Sequence, residues 1–247
     1  MDLLFKGGKV ITAKGSYKAD VAVKNGKITA IATSLKPGKD TEVVDAKGKY
    51  ILPGAIDGHT HLAMPFGGTI ATDDYFTGTR AAACGGTTTV FDFVLQAPDE
   101  PMDAALERRD AICKKDGPAV DYSYHIGVGN VKTPEMLASM DECVKRGVTS
   151  FKVFMVYDFG VDDGKLFETL QHAAKIGDLV GVHAENNDVN KALIKKYLAE
   201  GKTDAWWHYM SKNEAVAGEA DVRAINLAKK AGAALYIVHL DNKQGVE

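Results

Sequence analysis

Short alternating runs of apolar and polar residues, broken by glycines, fill the chain from Met1 to about residue 50. Within them, Ala19–Ile31 sets Asn25-Gly26 between two such runs, the dipeptide that most strongly marks a two-residue hairpin. A small β-unit is expected there. From Ile51 the pattern changes to apolar strand, polar loop, amphipathic helix and closing glycine, repeated several times, which is how parallel βα units read in sequence. Strands are expected near Ala55–Asp57, Thr88–Phe93, Asp121–Ile126, Ser150–Tyr157, Leu179–His183 and Ala234–His239.

The helices between them carry clear start and stop signals. Thr133 with Pro134 opens one and Gly147 closes it, Gly117 and Gly177 close two others, and Ser211 with Glu214 makes a capping-box pattern ahead of Gly232. Gly117, Gly147 and Gly177 stand thirty residues apart, the length of one βα unit. An extra helix from roughly Asp188 to Glu200, then a loop carrying Trp206-Trp207-His208, fills the longer gap before Gly232. Six βα units result. A closed (β/α)₈ barrel takes about 250 residues by itself, and the first 50 of these 247 are used before it starts. The expected architecture is therefore α/β: residues 1–50 form a separate β region, and residues 51–247 form a TIM barrel that stops before its seventh and eighth strands.

Composition narrows the class of function. Thirty basic against thirty-three acidic side chains give a net charge of −3 and leave no positive field for nucleic acid. Met1–Val10 has no long apolar core, so no secretory signal or membrane span is expected and the chain reads as cytoplasmic. Cys84, Cys113 and Cys143 are odd in number and far apart, which argues against a disulfide framework or a cysteine zinc knuckle.

His59 and His61 follow a short apolar strand, and an i, i+2 pair at a strand's carboxyl end puts both imidazoles on one face, at the barrel mouth. Alone, that pattern fits a packed histidine better than a metal ligand. His183 and His239 change the balance, because each ends a further predicted strand on the same rim. Lys152 sits inside the apolar run Ser150–Tyr157. It could reach the rim or pair with an acid. Beside four rim histidines, the favoured reading is a buried neutral amine that adds carbon dioxide, since a carbamate offers two oxygens to two divalent ions. Asp92 could back a ligand or cap a loop, His125 is expected in a supporting or core role, and His172 on its helix is expected to be solvated. Trp206, Trp207 and His208 form an aromatic cluster suited equally to another subunit and to internal packing.

These residues carry a resemblance. Pro53–Leu62 with its His-Thr-His, Met64–Gly68, Thr77–Ala83, Gly85–Thr88, Phe151–Met155, Val182–Asn186 and Ile237–His239 are similar to the dihydropyrimidinase and hydantoinase branch of the cyclic amidohydrolases. The resemblance implies a distorted (β/α)₈ barrel, a β-sandwich to which residues 1–50 contribute, and a centre of two divalent ions, zinc first, manganese or cobalt as alternatives. His59 and His61 would bind the more buried ion, carbamylated Lys152 would bridge, and His183 and His239 would bind the second. Tyr157 would donate to the developing oxyanion, and Met64, Phe66 and Phe159 would shape the substrate pocket. The reaction implied is opening of a dihydropyrimidine or hydantoin ring to an N-carbamoyl amino acid by a homotetramer or dimer. The branch's catalytic aspartate lies on the eighth strand, so the 247-residue chain itself is expected to be inactive. Asp241 stands where relatives carry a small hydroxyl residue, and Asp158–Gly164 is shorter than in many hydantoinases. Ala63 replaces the arginine expected of a dihydroorotase, whereas an allantoinase, or a non-catalytic scaffold of the same fold, stays as the alternative.

Overall fold

A computed structural model describes residues 1–129, 131 and 133–247. The chain divides into two compact units, Met1–Ala55 and Ile56–Glu247. The first is a five-stranded sheet of β1 (Leu3–Thr12), β2 (Gly15–Lys24), β3 (Lys27–Ala32), β4 (Glu42–Asp45) and β5 (Tyr50–Ile51). Its order is β3-β2-β1-β4, with β5 also paired to β1. The expected hairpin joins β2 to β3: Lys24 faces Lys27, and Asn25 and Gly26 take φ of 51° and 71°, the left-handed pair that a tight hairpin turn requires. Val10, Ala19 and Val21 form its small core.

The second unit begins with β6 (Ala55–Thr60), a short hairpin of β7 (Pro65–Phe66) and β8 (Thr69–Ile70), then α1 (Tyr75–Gly85) and β9 (Thr87–Leu95). Alternation follows through α2 (Met102–Asp116), β10 (Asp121–Val128), α3 (Pro134–Lys145), β11 (Ser150–Phe154), α4 (Asp163–Ile176) and β12 (Leu179–His183). Three helices come next, α5 (Asn187–Ala199), α6 (Ala205–Ser211) and α7 (Glu214–Ala231), before β13 (Ala234–Ile237) and α8 (Lys243–Val246). The six long-range strands form one sheet in the order β13-β12-β11-β10-β9-β6, with β9 through β13 mutually parallel. Among the described residues β6 and β13 are the two edges and do not pair with each other. The sheet nevertheless curves strongly, for the rings of His59 and His239, at opposite edges, have centroids 5.6 Å apart.

Period-two alternation sorts the strand residues onto two faces. Val94, Ile126, Val128, Phe151, Val153, Val180 and Val182 meet the helices in the main core. There α4 contributes Leu166, Leu170 and Ala173, and α7 contributes Ala220, Ala224 and Ala228, spacings that keep one apolar stripe on each helix. The alternate positions, including His59, Phe91, Phe93, His125, Lys152 and Gly181, line a cavity of about 490 Å³ on the concave side.

Two local expectations change. Trp206, Trp207 and His208 lie on α6 and not in a loop; Asp204 accepts from the Trp206 amide and caps this turn. Ser211 does not cap α7, because its hydroxyl donates back to His208 O inside α6 and Asn213 takes the cap position. Trp207 packs at a tilt against Tyr197, whereas Trp206 is 60% exposed. His172 is half-buried, not solvated, with Nε2 3.3 Å from Asp141. Among the described residues no helix is long and apolar enough to cross a membrane.

Candidate metal centre

Lys152 faces the concave side because its neighbours Phe151 and Val153 face the helices. It is 2% exposed, and its ammonium lies over the rings of Phe93 and Phe154 at 5.4 and 5.1 Å. Its register partner on β12 is Gly181, whose backbone lies alongside the lysine stem. Among the described residues no carboxylate stands within ion-pair distance of Lys152. Burial alone therefore acts on it, lowering its pKa to about 7.

The sign of the resulting stability change is fixed. Below pH 7 the native protein must carry a buried ammonium that the unfolded chain carries freely; between pH 7 and about 10 only the unfolded chain still binds the proton. Stability of the metal-free protein is thus expected to rise as pH increases through that window. Urea midpoints in chelator, measured from pH 6 to 10, should show a rise attributable to this site that Lys152→Met removes; equal pH slopes in the two proteins would refute it.

Around Lys152 stand the four histidines. His59 and His61 have ring centroids 5.1 Å apart, both packed on Phe93 at 4.6 and 4.7 Å. His183 and His239 lie 4.5 Å apart, and His183 Nδ1 is 3.0 Å from His239 Nε2. Burial, then the neighbouring cation and imidazoles, lowers His59 and His239 to about 4, and burial also lowers His61. At neutral pH these three rings are uncharged and offer lone pairs.

His183 Nε2 is 2.8 Å from Glu185 Oε1. The carboxylate can only accept, so Nε2 carries the hydrogen and Nδ1 presents its lone pair toward His239. Burial pushes Glu185 up, but His183 and Lys212 outweigh it and hold the carboxyl below its usual range.

Whether these residues fit a metal can be judged from their donors. Two nitrogens bound at 2.0–2.1 Å to a tetrahedral ion lie about 3.3 Å apart, and the facing nitrogens of His183 and His239 are close to that. Imidazoles in two pairs, with an amine whose charge burial disfavours held among aromatic faces, suit divalent ions better than a hydrogen-bonded core. Among the described residues no three His, Cys, Asp or Glu side chains form a ready-made metal cluster. Each pair needs a further oxygen donor.

A buried cluster behind His61 fixes the chain there. Asp92, 0% exposed, pairs with Arg109 at 2.7 Å, takes the Tyr75 hydroxyl, and accepts from the Leu62 amide at 3.1 Å. Arg109 donates onward to Leu62 O and to Ala63 O. Asp92 thus ties the turn after His61 to β9 and α2, a supporting part for the ligand strand. His125 is held below the rim, with Nδ1 2.5 Å from Ser150 Oγ and Nε2 3.0 Å from Gly58 O.

Tyr157 follows β11 with φ of 76°, a strained value for a non-glycine residue, and its ring lies 5.5 Å from those of both His183 and Phe66. Phe66, Tyr157, Phe159 and Phe154 line a cavity of about 580 Å³ beside the histidines. Met64 does not line it; its carbonyl accepts from Ala71 at the base of the β7–β8 hairpin. The sequence places Glu185 within Val182–Asn186 without giving it a part of its own, and it does not single out Lys212. The alternation His183-Ala-Glu185 was the available signal for the first, and nothing local marked the second.

The family model described as the amidohydrolase family matches residues 50–205. D-hydantoinase of Geobacillus stearothermophilus is 45% identical over 251 residues, covering 100% of this chain and 52% of that protein. Dihydropyrimidinase of Rattus norvegicus is 37% identical, over 99% of this chain and 48% of its own length. The solved D-hydantoinase of Bacillus sp. AR9 superposes with a TM-score of 0.93 at 42% identity, over 99% of this chain and 53% of that one. The chain spans about half the length of the curated relatives it matches. A parallel sheet that gathers four rim histidines and a buried lysine on one concave face, together with the match over residues 50–205, places the chain in the amidohydrolase family.

Proposed function

We propose that this chain contributes to metal-dependent hydrolysis of cyclic amides, opening a dihydropyrimidine or hydantoin ring to the N-carbamoyl amino acid. The observation that carries the reading is Lys152: a buried amine whose pKa burial lowers to about 7, so that the neutral form is accessible near neutrality, among aromatic faces and beside four histidines. A neutral amine adds carbon dioxide with loss of one proton, giving the carbamate oxygens that the histidine pairs lack.

In this reading His59 and His61 would hold one ion, His183 and His239 would hold the other, and Lys152 as a carbamate would supply the oxygen donors they lack. When bound, two zinc-type ions supply Lewis acidity and acidify water. The residues of the chain do the rest. Tyr157 donates its hydroxyl hydrogen to the carbonyl oxygen as charge develops there, Phe66 and Phe159 exclude water and seat an apolar ring substituent, and Glu185 keeps His183 in the ligating tautomer. A complete (β/α)₈ barrel, a β-sandwich that includes residues 1–50, and self-association as a tetramer or dimer belong to the same proposal. The relatives named hydantoinase and dihydropyrimidinase support this over the allantoinase and scaffold alternatives.

The test uses full-length protein carrying this sequence. Zinc with bicarbonate should restore hydrolysis of dihydrouracil or 5-phenylhydantoin after chelation, with two zinc ions per subunit. Zinc-replete protein that opens neither ring would overturn the proposal.

A further inference from the structure

Lys212 follows α6 and stands between the two parts of the site. It lines both the aromatic cavity with Tyr157 and Phe159 and the smaller cavity with His183 and His239. Its side chain is only 16% exposed. The ammonium lies 3.1 Å from Glu185 Oε2, 3.4 Å from the Tyr157 hydroxyl oxygen and 4.8 Å from the Tyr157 ring centroid. One cation therefore touches the group that orients His183 and the phenol that faces the cavity.

The chemistry of the donors gives this contact a direction. An ammonium has three hydrogens and no lone pair, so toward Tyr157 it can only donate. A phenol that accepts from Lys212 keeps its own hydrogen free and turned away from that cation, on the side of the cavity. The contact also covers one face of a ring whose backbone sits at φ 76°, a conformation that persists only where surrounding contacts hold it. Glu185, the other acceptor, balances the charge, so Lys212 is held in place by an ion pair largely shielded from solvent on both sides.

We propose that Lys212 is a positioning residue that sets the Tyr157 hydroxyl as a hydrogen-bond donor toward the substrate carbonyl. This rests on the ring-opening reaction proposed above. Lys212 itself touches no reacting atom in this account.

Four proteins in the zinc-loaded, full-length form test it: wild type, Lys212→Met, Lys212→Arg and Lys212→Met in a Tyr157→Phe background. Lys212→Met should lower kcat by about 10- to 100-fold, the usual loss when a supporting partner is removed, with KM little changed. Lys212→Arg should recover most of the rate, because a guanidinium can donate to two acceptors at once. In the Tyr157→Phe background the same lysine substitution should add little, since the two residues act as one unit. Zinc content and affinity should stay at the wild-type level. Unchanged kcat in Lys212→Met, the same fold loss in both backgrounds, or loss of zinc in step with turnover would overturn the proposal.

A readout independent of turnover separates this from the reaction itself. With 3-fluorotyrosine incorporated, the ¹⁹F resonance assigned by its absence in Tyr157→Phe should shift in Lys212→Met and not in Lys145→Met, whose lysine pairs with Glu142 on α3. If zinc-loaded wild type opens no ring, the reaction is wrong and the resonance decides the contact: a shift sustains the Lys212–Tyr157 coupling, and its absence removes it.

Discussion

Replacing Lys152 by alanine in full-length, zinc-loaded protein should lower ring opening by at least about a thousandfold and abolish binuclear occupancy. Three decades correspond to about 4 kcal/mol of barrier, within the several kcal/mol that metal-ion stabilisation of a transition state supplies. The reason lies in the donor set. The four histidines supply single lone pairs in two groups, and among the described residues no carboxylate stands within ion-pair distance of Lys152 between them. Short carboxylates such as acetate or propionate should restore part of the zinc content and the rate in Lys152→Ala or Lys152→Gly, because the vacated volume lies where the carbamate would stand. Two zinc ions per subunit with normal turnover in the alanine variant would show that the bridge is something else.

The second large effect is on stability. Asp92→Ala leaves the Arg109 guanidinium, 7% exposed, without its carboxylate, and leaves the Tyr75 hydroxyl and Leu62 amide without their acceptor. Breaking one side of a buried ion pair costs about 3–5 kcal/mol. Urea unfolding in chelator should show a loss of that order, and Asp92→Ala combined with Arg109→Met should lose less than the sum of the two single variants. Because Arg109 and Asp92 also hold Leu62 and Ala63, the zinc affinity of Asp92→Ala should fall with its stability. A destabilisation below about 1 kcal/mol, the scale of an ordinary exposed pair, would mean the cluster is solvated and the turn after His61 is held by other contacts.

What could be read from sequence follows from how local each signal is. The Asn25-Gly26 hairpin, the Thr133 cap and the closing glycines at 117 and 177 depend on a few adjacent residues, and the structure has them in those roles. The six strands depend on apolar runs, and each lies where its run does, shifted by a few residues at the ends. β11 stops at Phe154 and not at Tyr157, where the chain turns through a positive φ that no run of apolar letters announces. Ser211 and Glu214 had the right spacing for a capping box, yet the hydroxyl found a closer acceptor one turn back. The gathering of His59, His61, Lys152, His183 and His239 on one face came from strand-end position and alternation together. Lys212 was illegible for the opposite reason: it reaches Tyr157 and Glu185 across 55 and 27 residues from the end of a seven-residue helix. Only the tertiary fold brings it there.

The strong curvature of the sheet has a consequence in time as well as in space. His59 and His239, whose rings meet 5.6 Å apart, are separated by 180 positions in the chain. At about 5–20 residues per second, a ribosome needs roughly ten to forty seconds to travel that far. Throughout that interval the first histidine pair is already made while the second is incomplete. An unfinished pair of imidazoles obeys only the general affinity order, in which copper outranks zinc. In the centre proposed above, loading would thus be an event of finished synthesis, complete only once residue 239 has emerged and β13 has docked on β12.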